Sequence, residues 1–298
     1  MSRSGGGRSP LTAATGAELL YIGGYGRSGS TLLARILAED ERVVDLGEVV
    51  RTLPMVRKAG RLCTCGRMIR KCPAWRPVAR RVGKAARRGV DEAIHAAALT
   101  ALAETERWPI IVDASKTARH LRHRPAALKR RLAMKVTLLH LIRDPRAVLW
   151  STLRHAMDER GRVSPARMAV ATLRTAAGWT LANLACEGFG RRHRESYVRI
   201  RYDEALRDGV PAPLARFIPP GPLDGRRLAG RFDNRHAPAG SGVGREDSVT
   251  VAIDEAWRQN LPSSIAGLTV LLCLPLVLRY GFLKRSRPVL AMANGVSK

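Results

Sequence analysis

Short apolar runs alternate with longer helical patterns along the chain. The runs at 19–23 (LLYIG), 109–112 (PIIV, ending at Asp113), 135–142 (KVTLLHLI) and 197–202 (YVRIRY) read as strands. A fifth short run, VVDL at 43–46, joins them if it enters the same sheet. PIIV and KVTLLHLI are nearly all apolar, the pattern of strands covered on both faces of a parallel sheet. Helical patterns fall at about 30–38, 91–106, 117–132, 145–159, 166–189 and 254–261. Such alternation predicts an α/β fold, three layers α/β/α around a central parallel sheet. Residues 1–17 are small, polar and glycine-rich and read as a flexible tail, leaving 18–298 as a single domain. No internal repeat is visible. The stretch APAGSGVG at 237–244 reads as a loop.

The apolar stretch 265–278, interrupted by Pro275, is too short for a membrane span. It reads first as a buried helix and second as a peripheral contact with a membrane surface. Over 298 residues, 45% hydrophobic and 26% charged content fits a soluble protein with a proper core. Aromatics supply only 5%, so aliphatic packing carries that core. The formal net charge of +27 favours anionic partners such as nucleotides, acidic glycans or an anionic membrane surface. No basic run is interleaved with aromatics, so no specific nucleic-acid partner is expected.

Five cysteines, an odd number, imply no disulfide framework, and the N-terminus lacks the apolar core of a signal peptide. A cytoplasmic protein, with membrane-peripheral contact kept open, is the expectation. Cys63, Cys65 and Cys72 stand in the frame C-x-C-x6-C. Zinc usually takes four ligands in paired spacings, and the nearest downstream histidine is His95. No metal is expected from that frame; a structural loop or a Cys65–Cys72 redox pair stay open.

The run GGYGRSGSTLL carries more chemistry. From Gly24 it fits the phosphate-loop frame G-x-x-x-x-G-x-T, within a P-loop NTPase-like strand–loop–helix context. Glycines allow positive φ and close backbone approach, so successive N–H groups and a helix N-terminus can face an anion. Ser30 stands where a triphosphatase has lysine, and Arg27 supplies a cation two residues before Gly29. A donor with a shorter anionic end than ATP suits that loop. A second constellation, LLHLIRDPRAVLWS, runs from a buried strand into a helix, with Asp144 as N-cap and Pro145 as first helical residue. Arg143 then sits at the carboxyl end of its strand, where open α/β sheets bind ligands. Ser151 follows about 9 Å along the helix axis from Pro145. Arg143 and Ser151 together can grip one phosphate, although Arg143 also has Asp113 and Asp144 as structural partners.

GRSGSTLL after a strand, followed by IRDPRAVLWS, resembles the sulfotransferases that use 3′-phosphoadenosine-5′-phosphosulfate. LGEVVRTLP, CTCGRMIRKCPAW, VDASK, DEAWRQNLP and RYGFL are similar to bacterial members, so the resemblance spans most of the chain. It implies that Gly26, Arg27, Ser28, Gly29, Ser30 and Thr31 hold the 5′-phosphosulfate, and Arg143 and Ser151 the 3′-phosphate. GSGVGR, ending at Arg245, resembles the late segment that closes over the 3′-phosphate. Two departures matter. Small-molecule sulfotransferases of the cytosol have lysine where Arg27 stands, and their histidine base has no counterpart here. Arg27 with the Gly47-Glu48 pair looks more like branches in which a glutamate is the base.

Sulfuryl transfer, like phosphoryl transfer, needs charge held and reactants positioned. Glu48 is the expected base, Lys116 and Arg27 the expected cations at the transferred group. The other reading of Glu48 is a first-turn glutamate satisfying a helix dipole, and that of Lys116 a surface lysine. His140 reads as a core histidine, His120 and His123 as solvated, and His236 as a further proton acceptor lining the cleft. The resemblance implies a hydroxyl or amine acceptor, with a glycan, a lipid or a small metabolite as the expected classes. A P-loop kinase or NTPase, for which IIVD up to Asp113 serves as a Walker B strand, and a basic membrane- or nucleic-acid-associated non-enzyme stay open as alternatives.

Overall fold

The computed structural model describes residues 16–57, 60–105, 108–229, 235–237 and 248–283. The strands are β1 (Glu18–Gly23), β2 (Val43–Asp45), β3 (Ile110–Asp113), β4 (Lys135–Ile142), β5 (Tyr197–Arg201), β6 (Arg227–Ala229) and β7 (Ser248–Thr250). The helices are α1 (Ser30–Leu37), α2 (Val49–Thr52), α3 (Trp75–Val82), α4 (Glu92–Ala103), α5 (Arg124–Arg131), α6 (Pro145–Arg160), α7 (Pro165–Arg192), α8 (Tyr202–Asp208), α9 (Trp257–Asn260), α10 (Ser263–Leu272) and α11 (Leu274–Arg279). The first five strands form one parallel sheet in the order β2-β3-β1-β4-β5; β6 and β7 pair antiparallel beside it.

Alternate side chains of each strand supply the two cores. Leu19, Tyr21, Ile111 and Leu138 pack with Trp75, Leu99, Leu102 and Leu128, which places α3, α4 and α5 on one face. Leu20, Ile22, Val112 and Leu139 pack with Leu33, Ile36, Leu37 and Leu206, placing α1 and α8 on the other. The architecture is thus three-layer α/β/α, and all five expected strands lie in one sheet. Because β1 is central while its neighbours connect to either side, the carboxyl ends of β1, β3 and β4 meet at the crevice where such sheets bind ligands.

Three helical expectations change. The pattern over 117–132 yields a helix only from Arg124, with a short 3-10 turn at Arg119–Leu121 before it. The cause is upstream: Thr117 is tied into the loop after β1, its N–H donating to the Gly24 carbonyl at 3.1 Å. The pattern over 254–261 is helical only at Trp257–Asn260. The stretch 265–278 is not a buried helix. It breaks at Cys273 into α10 and α11, and Leu268, Leu271, Leu272 and Leu278 stay exposed, Leu271 at 66%. Among the described residues no helix is long and apolar enough to cross a membrane. Residues 1–15, the greater part of the expected tail, and 238–247, most of the expected glycine-rich loop, lie outside the described residues.

His140 occupies the core as expected. Its Nδ1 lies 2.6 Å from the Tyr197 hydroxyl and its Nε2 2.8 Å from Asn183 Oδ1. The Asn183 amide nitrogen donates to the Trp179 carbonyl, so its Oδ1 accepts from His140 and fixes the proton on Nε2. Burial pushes the His140 pKa from 6.5 down to about 4, against the Asn183 hydrogen bond. The unfolded chain therefore takes up this proton first on acidification. The histidine's contribution is complete above pH 6.5 and is lost as pH falls from there to about 4. Urea unfolding across that window should show stability falling by up to about 1.4 kcal/mol per pH unit from this group. His140→Asn should flatten the slope.

Candidate active site

The loop after β1 is built from backbone contacts that only particular residues allow. The Gly24 N–H donates to Thr117 Oγ1 at 3.0 Å, and the Lys116 N–H donates to the Ile22 carbonyl at 3.2 Å. The segment leaving β3 is thereby fastened to the base of the loop. Gly29 adopts φ 93 at the N-cap of α1, where a Cβ would clash with the Tyr202 ring. No side chain caps α1 and no acidic residue occupies its first turn. Its first-turn N–H groups therefore present an uncompensated positive end. Ser28 is buried, with an Oγ that has no hydrogen-bond partner among the described residues. Ser30 is buried, Gly26 and Thr31 half-buried, and Arg27 exposed.

Arg143 is brought against this loop. Its Nη1 donates to the Arg27 carbonyl at 3.1 Å, and its Nη2 donates to Asp254 Oδ2 at 3.1 Å. Tyr202 lies under the guanidinium at 4.8 Å from the ring centre. The residue is only 8% exposed, yet neither Asp113 nor Asp144 is its partner. Asp144 instead caps α6, accepting from the Arg146 N–H at 2.8 Å. Ser151 stands half-buried in the second turn of α6. Arg154, one turn further, also reaches Asp254 at 3.6 Å, so α6 runs alongside the Arg143 side chain. Asp254 is the partner that the sequence did not reveal. It is 111 residues from Arg143, and no local signal marks it.

Glu48 and Lys116 meet. Lys116 Nζ donates to Glu48 Oε1 at 2.5 Å. Glu48 is the N-cap residue of α2, but its side chain makes no capping bond and turns to Lys116 and, at 3.4 Å, to Arg51. The turn beneath them is laced by Asp113, whose Oδ1 accepts from the Ser115 N–H, the Ser115 hydroxyl and the Val49 N–H. The Ser115 hydroxyl oxygen in turn accepts from the Val50 N–H at 3.1 Å. On its other oxygen Asp113 holds buried His95 at 2.7 Å. The Tyr21 hydroxyl donates to the Lys116 carbonyl. Arg27 (φ 65) and Lys116 (φ 68) are the two non-glycine residues with left-handed backbone among the described residues. Each such conformation costs about 1–2 kcal/mol, and strain of this kind collects at functional sites.

His236 is not a cleft residue. It is buried beside Trp75 and Trp108, with its Nδ1 facing the thiols of Cys63 and Cys72. Arg245 lies outside the described residues.

A family model described as "Sulfotransferase family" matches residues 20–211. The chain belongs to the sulfotransferase family. The sulfotransferase is also similar in fold to the sulfotransferase domain of an olefin synthase from Synechococcus PCC 7002. That match covers 93% of this chain and 98% of that domain, at 19% identity and a TM-score of 0.53. The sulfotransferase STF9 from Mycobacterium avium aligns over 74% of this chain and 72% of its own, at 14% identity and a TM-score of 0.37. No curated protein matches at a significant level. The protein is thus an enzyme that catalyses sulfuryl transfer.

The strained backbone yields a prediction. Lys116→Gly removes the left-handed penalty along with the ammonium group. Its melting temperature should equal or exceed that of the parent while sulfuryl transfer is lost; a destabilised variant with intact turnover would contradict this.

Proposed function

We propose that this sulfotransferase takes its sulfuryl group from 3′-phosphoadenosine-5′-phosphosulfate and passes it to a hydroxyl or amine acceptor. The observation that carries the reading is the hydrogen bond from Arg143 to the Arg27 carbonyl, which sets two anion-gripping motifs side by side. The residues fit such a donor. The uncapped N-terminus of α1 and the orphaned Ser28 hydroxyl suit a 5′-phosphosulfate, and serine at position 30 suits a ligand with no γ-phosphate. Gly26, Arg27, Ser28, Gly29, Ser30 and Thr31 would hold that end. Arg143 and Ser151 would hold the 3′-phosphate, joined by Arg245.

The bound donor supplies an activated sulfuryl group. Glu48 orients the acceptor and takes its proton. Lys116 and Arg27 hold the negative charge that grows on the oxygens around sulfur. Glu48 and Lys116 are paired with each other, but both are partly exposed, at 28% and 16% of their side chains. An ion pair of that exposure is worth about 1 kcal/mol or less, so substrate can part the two side chains at little cost. An acceptor with anionic groups of its own suits the excess of 52 Lys+Arg over 25 Asp+Glu.

A thermal-shift titration tests the donor. Adenosine 3′,5′-bisphosphate at about 100 times its Kd should add about 2.7 kcal/mol of apparent stability, a shift of several degrees. ATP should give a smaller shift, and Arg143→Ala should abolish the response to the bisphosphate. Equal shifts with ATP, or an undiminished shift in Arg143→Ala, would defeat the reading. Glu48→Gln should keep the bisphosphate shift while lowering kcat by about 100-fold or more.

A further inference from the structure

We propose that Cys63, Cys65, Cys72 and His236 bind one zinc ion as a closed structural site. Their ligating atoms all lie within 4.8 Å of one another. The His236 Nδ1 is 3.8 Å from Cys63 Sγ and 3.2 Å from Cys72 Sγ. A tetrahedral zinc with bonds of about 2.3 Å to sulfur and 2.0 Å to nitrogen holds sulfur and nitrogen roughly 3.5 Å apart, which matches. Cys63, Cys72 and His236 are buried, Cys65 is half-buried, and all the cysteines are free thiols.

Backbone hydrogen bonds hold the segments that carry the four groups. Cys63 and Cys65 stand on a tight turn: the Cys63 N–H donates to the Arg67 carbonyl at 2.8 Å, and the Gly66 N–H donates to the Cys63 carbonyl at 2.9 Å. Gly66 has φ 79, which a side chain would resist. Cys72 follows the single 3-10 turn Ile69–Lys71. His236 is held at both backbone ends. Its N–H donates to the Asp45 carbonyl at 2.7 Å and its carbonyl accepts from Trp75 Nε1 at 2.6 Å. Arg235 beside it forms a buried ion pair with Asp45 at 3.2 Å. The imidazole therefore has little freedom to leave the thiols.

Three sulfurs and one nitrogen favour zinc over harder divalent ions. Four protein ligands leave no open position, so the ion would be structural and would take no part in sulfuryl transfer. Binding would release the three thiol protons and leave three thiolates on the metal. The ion would clasp the turn at 62–72 to the segment 235–237 at the end of β2.

Metal analysis of the full chain, purified under reducing conditions without chelator, tests this. One zinc per chain is expected. Cobalt(II) added to metal-stripped protein should give the intense visible bands of a tetrahedral site and thiolate-to-cobalt charge transfer. Zinc removal should lower the melting temperature by about 5 °C or more. His236→Ala should lose the ion, and His236→Cys should keep it and restore the melting temperature. If His236→Ala does not fold, the cobalt spectrum of the parent chain still decides. Less than a tenth of an equivalent of zinc from zinc-supplemented cells, with no tetrahedral cobalt spectrum, would overturn the proposal. So would a Cys65–Cys72 disulfide in the purified protein, or full zinc retention by a Cys63→Ala/Cys72→Ala double variant. None of these readings involves donor or acceptor, so they stand apart from the test of the donor.

Discussion

A buried guanidinium has to be satisfied, and in this enzyme Arg143 imposes that demand where the sheet opens. Leaving such a charge without partners costs several kcal/mol. The fold meets the demand from three directions: a loop carbonyl, a distant carboxylate and an aromatic face. Each partner constrains something else. The Arg27 carbonyl must face inward, which accompanies a left-handed backbone at a residue with a side chain. Asp254 must be delivered by the chain that follows β7. Tyr202 must begin α8 directly beneath, where its ring also fills the space that a side chain at position 29 would need. One charge thus links the phosphate loop, the end of β4 and the C-terminal region.

The cations of the site differ in how they are balanced. Arg143 has Asp254 and Lys116 has Glu48. No carboxylate pairs with exposed Arg27 among the described residues. A protein with net charge +27 could leave such groups to repel one another. Placing one carboxylate beside each of two cations lowers that repulsion at a modest cost, because the Glu48–Lys116 pair is weak enough to open. The strain at Lys116 has a different origin. Asp113 gathers three hydrogen bonds on one oxygen and so dictates the tight turn from which Lys116 emerges.

Much of this was legible in the sequence because it is local. The five strands of the sheet are short apolar runs whose character follows from burial on two faces. Asp144 and Pro145 announced α6, and glycines at 24 and 29 announced the loop. The places of Glu48 and Lys116 after short strands could be read locally, but their mutual ion pair could not, because it depends on the lateral order of β2 and β3. Asp254 and His236 escaped for the same reason at greater separation. Residues 111 and 164 positions from their partners meet through topology, which no local pattern encodes. The helix expected from 117 failed because Thr117 serves the loop after β1, a tertiary demand stronger than helical pattern.

The cysteine turn bears on the site through the backbone of β2. Asp45 accepts from the His236 N–H through its carbonyl, pairs with Arg235 through one carboxylate oxygen and accepts from the Gly47 N–H through the other. Two residues after Asp45, Gly47 takes φ 62, and Ala237 lies where a Cβ at Gly47 would press against it. Glu48 comes next. The position of this carboxylate is therefore set from below by whatever holds His236 in place, as well as from the side by Lys116. Hydrogen bonds among thiols and an imidazole contribute about 1 kcal/mol each, whereas the proposed zinc would contribute more. As the proposed base, Glu48 would have to stand within about 0.5 Å of its working place, and a metal site would be the stiffer support for it. Four ligating groups under β2 are a means of providing it without adding to the sheet.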